Sequence, residues 1–330
     1  MGISPSPPLG PSDVLVKFHA AAMNFRDLAI VRGFYPRPTT PGVIPGADGA
    51  GEVVATGSRV KRFQPGQRVI PFGYQSGYFG GTVSSAEAAS TAIGGAVDGT
   101  FREYGVFDQQ GLVSMPNNLT YEEGCSIMGA GLTAWNALMG GSNPVRLGDC
   151  VLTQGTGGVS LAAIQFALAA GAVVIATTSS EEKAKKLESL GVHHIINYKK
   201  DPDWGTTAKL LSPRGLGCTH VIEVGGQNTM KQSLKCVAPG GEIAVIGFLA
   251  GQGTVKEGDP SMLEALSRMC SIRGIEVGSR LQFEEMIRVM ETVGIKPILD
   301  QRRFSLEQLK DAYQYLWEQK HFGKVVVKII

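Results

Sequence analysis

Between residues 150 and 247, short apolar runs alternate with helical patterns, and glycines stand at the joins. Residues 150–154 read as a strand, 159–170 as an apolar helix ending at Gly171, and 173–177 as a second strand. An amphipathic helix over 181–190 closes at Gly191. Strands follow at 195–197 and 220–224, then a helix at 230–237 closed by Pro239-Gly240-Gly241, then strands at 242–247 and 271–277. Strands that are apolar throughout and alternate with helices form a parallel sheet covered on both faces.

The flanks follow another rhythm. Residues 13–20 alternate apolar and polar, the mark of a half-buried strand. The run 41–57 is punctuated by Gly and Pro and ends in a strand at 52–55, and Gly66-Gln67 turns the chain into another. Short strands with turn signals predict a small β-barrel or sandwich-like domain in the first hundred residues. Residues 73–99 are rich in Gly, Ser, Ala and Tyr and have little periodicity. Such a long loop is either functional or a plain surface excursion. After Pro116 the pattern turns helical, and 120–139 reads as one helix opened by a Thr120/Glu123 capping box. Helical patterns return at 282–293 and 305–320, before a last strand at 324–330 that should rejoin the first domain.

At roughly 150 residues per domain, 330 residues suggest about two domains. Forty-four of them are glycine, about twice the usual share. Collagen is excluded because no three-residue period exists, and disorder because 43% of residues are hydrophobic and 18% charged. A net charge of +2 gives no electrostatic case for nucleic acid or an anionic membrane. Cys125, Cys150, Cys218, Cys236 and Cys270 are widely spaced and form no CxxC pair. Neither a disulfide framework nor a structural zinc ribbon is expected, which suits a reducing, cytoplasmic setting. Residues 1–11 are Pro/Ser-rich and lack the hydrophobic core of a signal peptide. No charge occurs from 150 to 180, so a membrane helix is the naive reading. Gln165, the Gly/Thr/Ser content and the break at Gly171 oppose it.

The run from Val151 to Ser160 is strand, glycine turn, helix, and it lies inside a complete β-α-β unit. Gly155, Thr156, Gly157, Gly158 and Val159 are therefore read as a dinucleotide pyrophosphate site. Glycines admit the backbone close to phosphate, and the helix N-terminus supplies N–H groups. Ser160 stands where the fingerprint usually has Gly or Ala, and is small enough to keep the helix near the strand. An NAD-preferring site places an acid roughly 20 residues on, to bind the ribose hydroxyls. Here that region is Thr177-Thr178-Ser179-Ser180. Small hydroxyls leave room for a 2′-phosphate, and Lys183 can neutralise it, so the reading favours NADPH. Lys183 equally suits a solvated helix face.

The chain also carries Asn24-Phe25-Arg26-Asp27, Pro41-Gly42-x-x-Pro45-Gly46-x-Asp48-Gly49-x-Gly51-x-Val53, Gly66-Gln67-Arg68-Val69, Gly131-Leu132-Thr133-Ala134 and His321-Phe322-Gly323-Lys324. With the nucleotide turn and Pro239-Gly240-Gly241, these motifs resemble the medium-chain dehydrogenase/reductase superfamily over nearly the whole chain. The resemblance implies an α/β chain with a GroES-like β-barrel domain (1–118 and 281–330). A Rossmann domain with a doubly wound parallel sheet (119–280) interrupts it in sequence. The active site of such proteins lies in the cleft. The resemblance implies that Asn24 lines the nicotinamide pocket and that Thr133 approaches the same end. It sets Thr178, Ser179, Lys183 and Tyr198 near the 2′-phosphate, and Gly225 and Gly226 after the fourth strand. Gly247, Phe248 and Leu249 face the nicotinamide, and Phe322 and Lys324 close over it. Thr133 and Leu249 also suit core positions. It further implies a homodimer, formed at the sheet edge near 271–278, where an exposed edge would pair.

Zinc-dependent members hold a catalytic metal with Cys, His and a further Cys or Asp. The matching slots here are Asn24, Ala47 and Ala130, and zinc needs three protein ligands. No cysteine falls in 73–99, where a structural-zinc lobe would lie. The chain therefore resembles the zinc-independent branch, similar to quinone oxidoreductases and enoyl reductases. Without a metal to polarise a carbonyl, the easier reaction is hydride delivery to the β-carbon of an enone or enoyl thioester, or to a quinone. Charge collects on oxygen, where hydrogen-bond donors stabilise it. Gly33-Phe34-Tyr35-Pro36 carries the Gly-x-Tyr-Pro pattern of enoyl reductases, where the tyrosine is a proposed proton donor. Tyr35 is the first candidate acid, since a phenol stays protonated at neutral pH and can donate. It equally suits packing at a turn beside Pro36. Asn24 is the second catalytic candidate, as donor to the substrate oxygen. Asp48 is expected to have a structural role near Arg26 or Arg68. Other readings are metal-free carbonyl or alcohol chemistry, an accessory enoyl reductase of a biosynthetic pathway, and a non-catalytic NADPH-binding protein.

Overall fold

A computed structural model of the chain describes residues 8–80, 85–251 and 258–330. Residues 1–7 of the opening segment and 81–84 of the long loop lie outside the described residues. The chain groups into two compact units, Met1–Gly129 with Ser279–Ile330, and Ala130–Gly278.

The first unit opens with β1 (Asp13–Ala22), whose alternation buries Val14, Val16 and Phe18. A short helix, α1 (Phe25–Val31), follows at once, its entry held by Asn24 N donating to Asp27 Oδ2 at 2.8 Å. Then come β2 (Asp48–Thr56), β3 (Arg68–Pro71), α2 (Ser85–Ser90), β4 (Tyr104–Asp108), β5 (Leu112–Ser114) and α3 (Tyr121–Gly124). Strands β2 and β4 both pair antiparallel with β1, and β3 links β2 to β5. Val14, Val16, Phe18, Val53, Val69, Phe107 and Leu112 form a core between them. Burying one such side chain is worth about 1.5–3 kcal/mol.

Part of the glycine surplus belongs to the 73–99 segment. Gly99 N donates to Ile44 O at 2.7 Å and Thr100 N to Gly46 O at 3.0 Å. A Cβ on Gly99 would stand 2.1 Å from Gly46 O, so two stretches of backbone touch there at a distance only glycine permits. Residues 91–101 thus clamp the turn that leads into β2.

The helix expected at 120–139 is interrupted. Its capping box forms, with Glu123 N donating to Thr120 Oγ1 at 3.2 Å and Thr120 N to Glu123 Oε2 at 2.8 Å. However, α3 stops at Gly124, a π-turn spans Ile127–Gly131, and α4 (Leu132–Met139) starts anew. Gly129 N donates to Asp48 Oδ1 at 2.8 Å. Single π-turns of this kind favour functional sites.

The second unit then alternates β6 (Cys150–Gln154), α5 (Gly158–Ala169), β7 (Val173–Thr178), α6 (Glu181–Ser189), β8 (His194–Asn197), α7 (Trp204–Leu211), β9 (Cys218–Glu223), α8 (Gln227–Cys236), β10 (Val237–Val245), α9 (Leu263–Arg268) and β11 (Ser271–Gly274). Its six strands are all parallel, in the order β11-β10-β9-β6-β7-β8. The order reverses between β6 and β9, the doubly wound arrangement in which nucleotides bind beyond the strand ends. Leu152, Ile175, Ile196, Trp204, Val221, Leu234 and Ile243 pack its core. Pro239-Gly240-Gly241 follows the end of α8 at Cys236 as expected, and it lies inside β10, where the pairing with β9 shifts register. The uncharged helix α5 has 12 residues, about 18 Å at 1.5 Å per residue. Among the described residues, no helix is long and apolar enough to cross a membrane.

The tail rejoins the first unit as α10 (Arg280–Val293), β12 (Leu299–Ser305), α11 (Leu309–Trp317) and β13 (Lys324–Lys328). Strand β13 pairs antiparallel with β1 and parallel with β12, which completes the seven-stranded sheet.

Candidate functional site

The second unit builds an anion cradle at the end of β6. Gly155 has φ +73°, and a Cβ there would meet nothing within 4 Å; the space over Gly157 is equally open. Gly155 N donates to Thr177 O at 2.9 Å, which ties the turn to β7. Gly157 is the N-cap of α5, and no side chain caps that helix. Helix N-terminal N–H groups facing an open glycine turn bind phosphate. A dinucleotide pyrophosphate fits these residues, and its chemistry would be hydride transfer. Ser160, the departure from the fingerprint, braces the turn: its Oγ donates to Gln154 O at 2.7 Å.

The end of β7 gathers the residues expected near the second phosphate. Tyr198 N donates to Thr178 O at 3.1 Å, Ser180 N to Thr178 Oγ1 at 3.3 Å, and Lys183 N to the Ser180 cap at 3.3 Å. Thr178, Ser179, Lys183 and Tyr198 therefore share one end of the sheet. The nearby acids are engaged elsewhere. Glu181 accepts from Asn197 Nδ2 and Lys200 Nζ, each at 2.8 Å, and Glu182 pairs with Lys186 at 2.7 Å.

A buried carboxylate that sequence reasoning missed organises the neighbouring turn. Glu223 is fully buried. Its Oε1 accepts from Gly225 N and Gly226 N at 2.9 Å each and from Thr229, and its Oε2 from Gln154 Nε2 at 2.7 Å and from Ser233. Gln154 Oε1 accepts in turn from Val224 N and Gly225 N. A buried carboxyl group is tolerated when its oxygens are fully hydrogen-bonded, as here. The next loop rests on this turn, with Leu249 N donating to Val224 O at 3.0 Å and Ala250 N to Gly225 O at 2.9 Å. Gly225, Gly247, Phe248 and Leu249 thus form one pair of loops, while Thr133 is buried on α4.

In the first unit, the candidate acid is anchored. Arg26 Nε donates to Tyr35 Oη at 3.3 Å, and its guanidinium carbon lies 5.4 Å from the ring centroid. Asn24 sits at the N-cap of α1, beside Asp27. Asp27 is fully buried, and burial pushes its carboxyl up to about 6, against the pull of Arg26. Phe322 is placed through its backbone, which donates to Asp300 Oδ2 at 2.8 Å.

Lys324 and Asp48 form a buried ion pair at 2.9 Å, with side chains 5% and 0% exposed. The same ammonium donates to Asn24 Oδ1 at 2.7 Å and Met23 O at 2.8 Å. The structural role expected of Asp48 is thus played with Lys324 as its ion-pair partner, rather than with Arg26 or Arg68. Arg68 spends its guanidinium on the carbonyls of Pro116, Asn117 and Leu119, and Arg26 Nη1 binds Ile93 O. Lys324 is the cation that reaches the sealed Asp48 carboxylate. Breaking such a pair by removing one charge costs about 3–5 kcal/mol.

Zinc does not fit these residues. Ala47 and Ala130 have no ligating atom, and Asn24 Oδ1 already accepts from a cation. Among the described residues, no group of three or more His, Cys, Asp or Glu is arranged to hold a metal.

Two family models match the chain: an alcohol dehydrogenase GroES-like domain at residues 10–117 and a zinc-binding dehydrogenase at 158–292. A zinc-type alcohol dehydrogenase-like protein of Schizosaccharomyces pombe is 45% identical over 322 residues, 97% of this chain and 92% of that one. A quinone oxidoreductase of Pseudomonas aeruginosa is 33% identical over 74% of this chain and 68% of its own. The solved structure of an NAD-dependent alcohol dehydrogenase superposes with a TM-score of 0.86 at 31% identity, covering 100% of this chain and 95% of that one. The barrel-type unit, the Rossmann unit and these relatives lead to one conclusion: the chain belongs to the medium-chain dehydrogenase/reductase superfamily of oxidoreductases.

Proposed function

We propose that the chain is an NADPH-dependent reductase of the zinc-independent branch, delivering hydride to an activated C=C bond of an enone or enoyl thioester, or to a quinone. The observation that carries this reading is the donor set around Asn24. A buried ammonium–carboxylate pair lies against Asn24, one of the slots that the resemblance matches to a zinc ligand. Without a Lewis acid, an isolated carbonyl is poorly activated. A conjugated acceptor is easier, because the developing charge spreads onto oxygen, and hydrogen-bond donors suffice there. Asn24 supplies such a donor. Tyr35 returns a proton to the α-carbon or the oxygen. Arg26 donates to its oxygen, so the phenol proton is left for another acceptor.

The preference for NADPH rests on the end of β7, which has hydroxyls at residues 177–180 and no acid. Lys183 and Tyr198 stand beside it. The pyrophosphate would lie on Gly155–Gly158. Thr133, Gly247, Phe248 and Leu249 of the second unit are assigned to the nicotinamide end. Dimerisation is proposed at β11, the outermost strand of the six-stranded sheet. Beside it Met262, Leu263, Leu266 and Met269 expose apolar side chains. Carbonyl or alcohol redox chemistry is the second reading, favoured by the description of the Schizosaccharomyces pombe relative. NADPH oxidation across a panel of enones, quinones, aldehydes and ketones separates the two. Turnover confined to aldehydes or ketones favours the second.

A further inference from the structure

Lys324 opens a strand ahead of three valines, and its side chain ends inside the first unit. An ammonium has three donors and no acceptor. All three are used, on Met23 O at 2.8 Å, Asn24 Oδ1 at 2.7 Å and Asp48 Oδ2 at 2.9 Å. Only the oxygen of the Asn24 amide can face such a group. The two ends of an amide look alike in shape, so its orientation has to come from the hydrogen-bond chemistry. Here the lysine decides it, and the amide NH2 must point away. Asn24 Nδ2 is buried and has no acceptor among the described residues. Buried donors almost always have partners, so an orphan such as this one is a place where a ligand atom or a water completes the bond. The counter-charge is fixed as well, because Asp48 Oδ1 accepts from Gly129 N at 2.8 Å.

We infer that Lys324 is a positioning residue: neutralised by Asp48, its ammonium pins the Asn24 amide so that Nδ2 is offered to the substrate's carbonyl oxygen. The inference rests on the reductase reading above for the identity of that oxygen. It changes the part the resemblance assigns to Lys324. The ammonium acts through Asn24.

The test uses neutral pairs, because Lys324→Met alone would strand a buried carboxylate. Lys324→Met with Asp48→Asn removes both charges and the donor to Asn24. Lys324→Gln with Asp48→Asn removes both charges but keeps an N–H for Asn24 Oδ1. Asn24→Asp keeps the acceptor for Lys324 and loses the NH2. Two readouts are taken on the full chain. The first is the Asn24 side-chain amide in 15N NMR, assigned by its loss in Asn24→Asp. A locked amide gives a dispersed, slowly exchanging proton pair in the wild type and in the Gln variant. In the Met variant that pair collapses to the positions of free amides. The second is steady-state kinetics with NADPH and an enone or quinone. The Met variant and Asn24→Asp should each lose about 100-fold in kcat, as for loss of one oxyanion donor. NADPH Kd should be unchanged, and the Gln variant should recover most of the loss. A Met variant with wild-type amide signals and wild-type kcat overturns the inference. If the wild type reduces no enone or quinone, the reaction reading fails, and the amide signals still decide the role of Lys324.

Discussion

Arg26 joins Tyr35 to the 73–99 segment: its Nε donates to Tyr35 Oη at 3.3 Å and its Nη1 to Ile93 O at 2.9 Å. The candidate acid is therefore aimed by a guanidinium that is itself fixed to a carbonyl in the long loop. Tyr35→Phe keeps the ring and removes the proton. It should lower kcat by about 100-fold, at the low end for general acid catalysis, with NADPH Kd unchanged by fluorescence titration. An unaltered kcat removes Tyr35 from the chemistry.

Cofactor preference is the second prediction. NADPH should bind at least about tenfold more tightly than NADH, a difference of about 1.4 kcal/mol. Lys183→Ala should erase much of it without weakening NADH binding. Equal affinity for the two cofactors in the wild type contradicts the assignment of Ser179, Lys183 and Tyr198.

Asp27 links the stability of the fold to pH. Its pKa is raised by burial from 3.8 to about 6 in the folded chain. Between those values the native state holds more protons than the unfolded one, so this group's contribution falls as pH rises from 4 to 6. Full ionisation costs on the order of 3 kcal/mol. Asn in its place still accepts from Asn24 N. The stability difference between Asp27→Asn and wild type, from denaturant unfolding, should therefore grow in favour of the variant over that window. A difference independent of pH contradicts the raised pKa.

Glu223 collects five hydrogen bonds in the second unit. Glu223→Ala leaves several buried donors without acceptors and should destabilise the chain by about 3 kcal/mol or more. Through the Gly225 turn it should also weaken cofactor binding. A variant with wild-type stability and NADPH affinity would show that the turn holds itself.

The parallel sheet was legible because buried strands leave continuous apolar runs, and because Gly155 and Gly157 mark the turn before α5. The barrel strands were legible more coarsely. The helix α1 escaped notice because seven residues carry less than two full periods of pattern. The break at Ile127–Gly131 was hidden for another reason. It coincides with a hydrogen bond from Gly129 to Asp48, a residue on a distant strand. The Lys324–Asp48 pair likewise joins positions 276 residues apart, and only the fold brings them together. Its trace in sequence is a lysine leading a run of valines. Contacts also group 121–129 with the first unit, because α3 packs on β1 and β2. A rhythm read along the chain changes at Pro116 without showing that.

The fate of the hydride tests the proposed reaction most directly. NADPH deuterated at the transferring C4 position is turned over with an enone, and the product is examined by 2H NMR. Deuterium at the β-carbon, with a solvent-derived proton at the α-carbon, is the predicted result. Deuterium on a carbinol carbon, with the C=C bond intact, would contradict it and make the chain a carbonyl reductase.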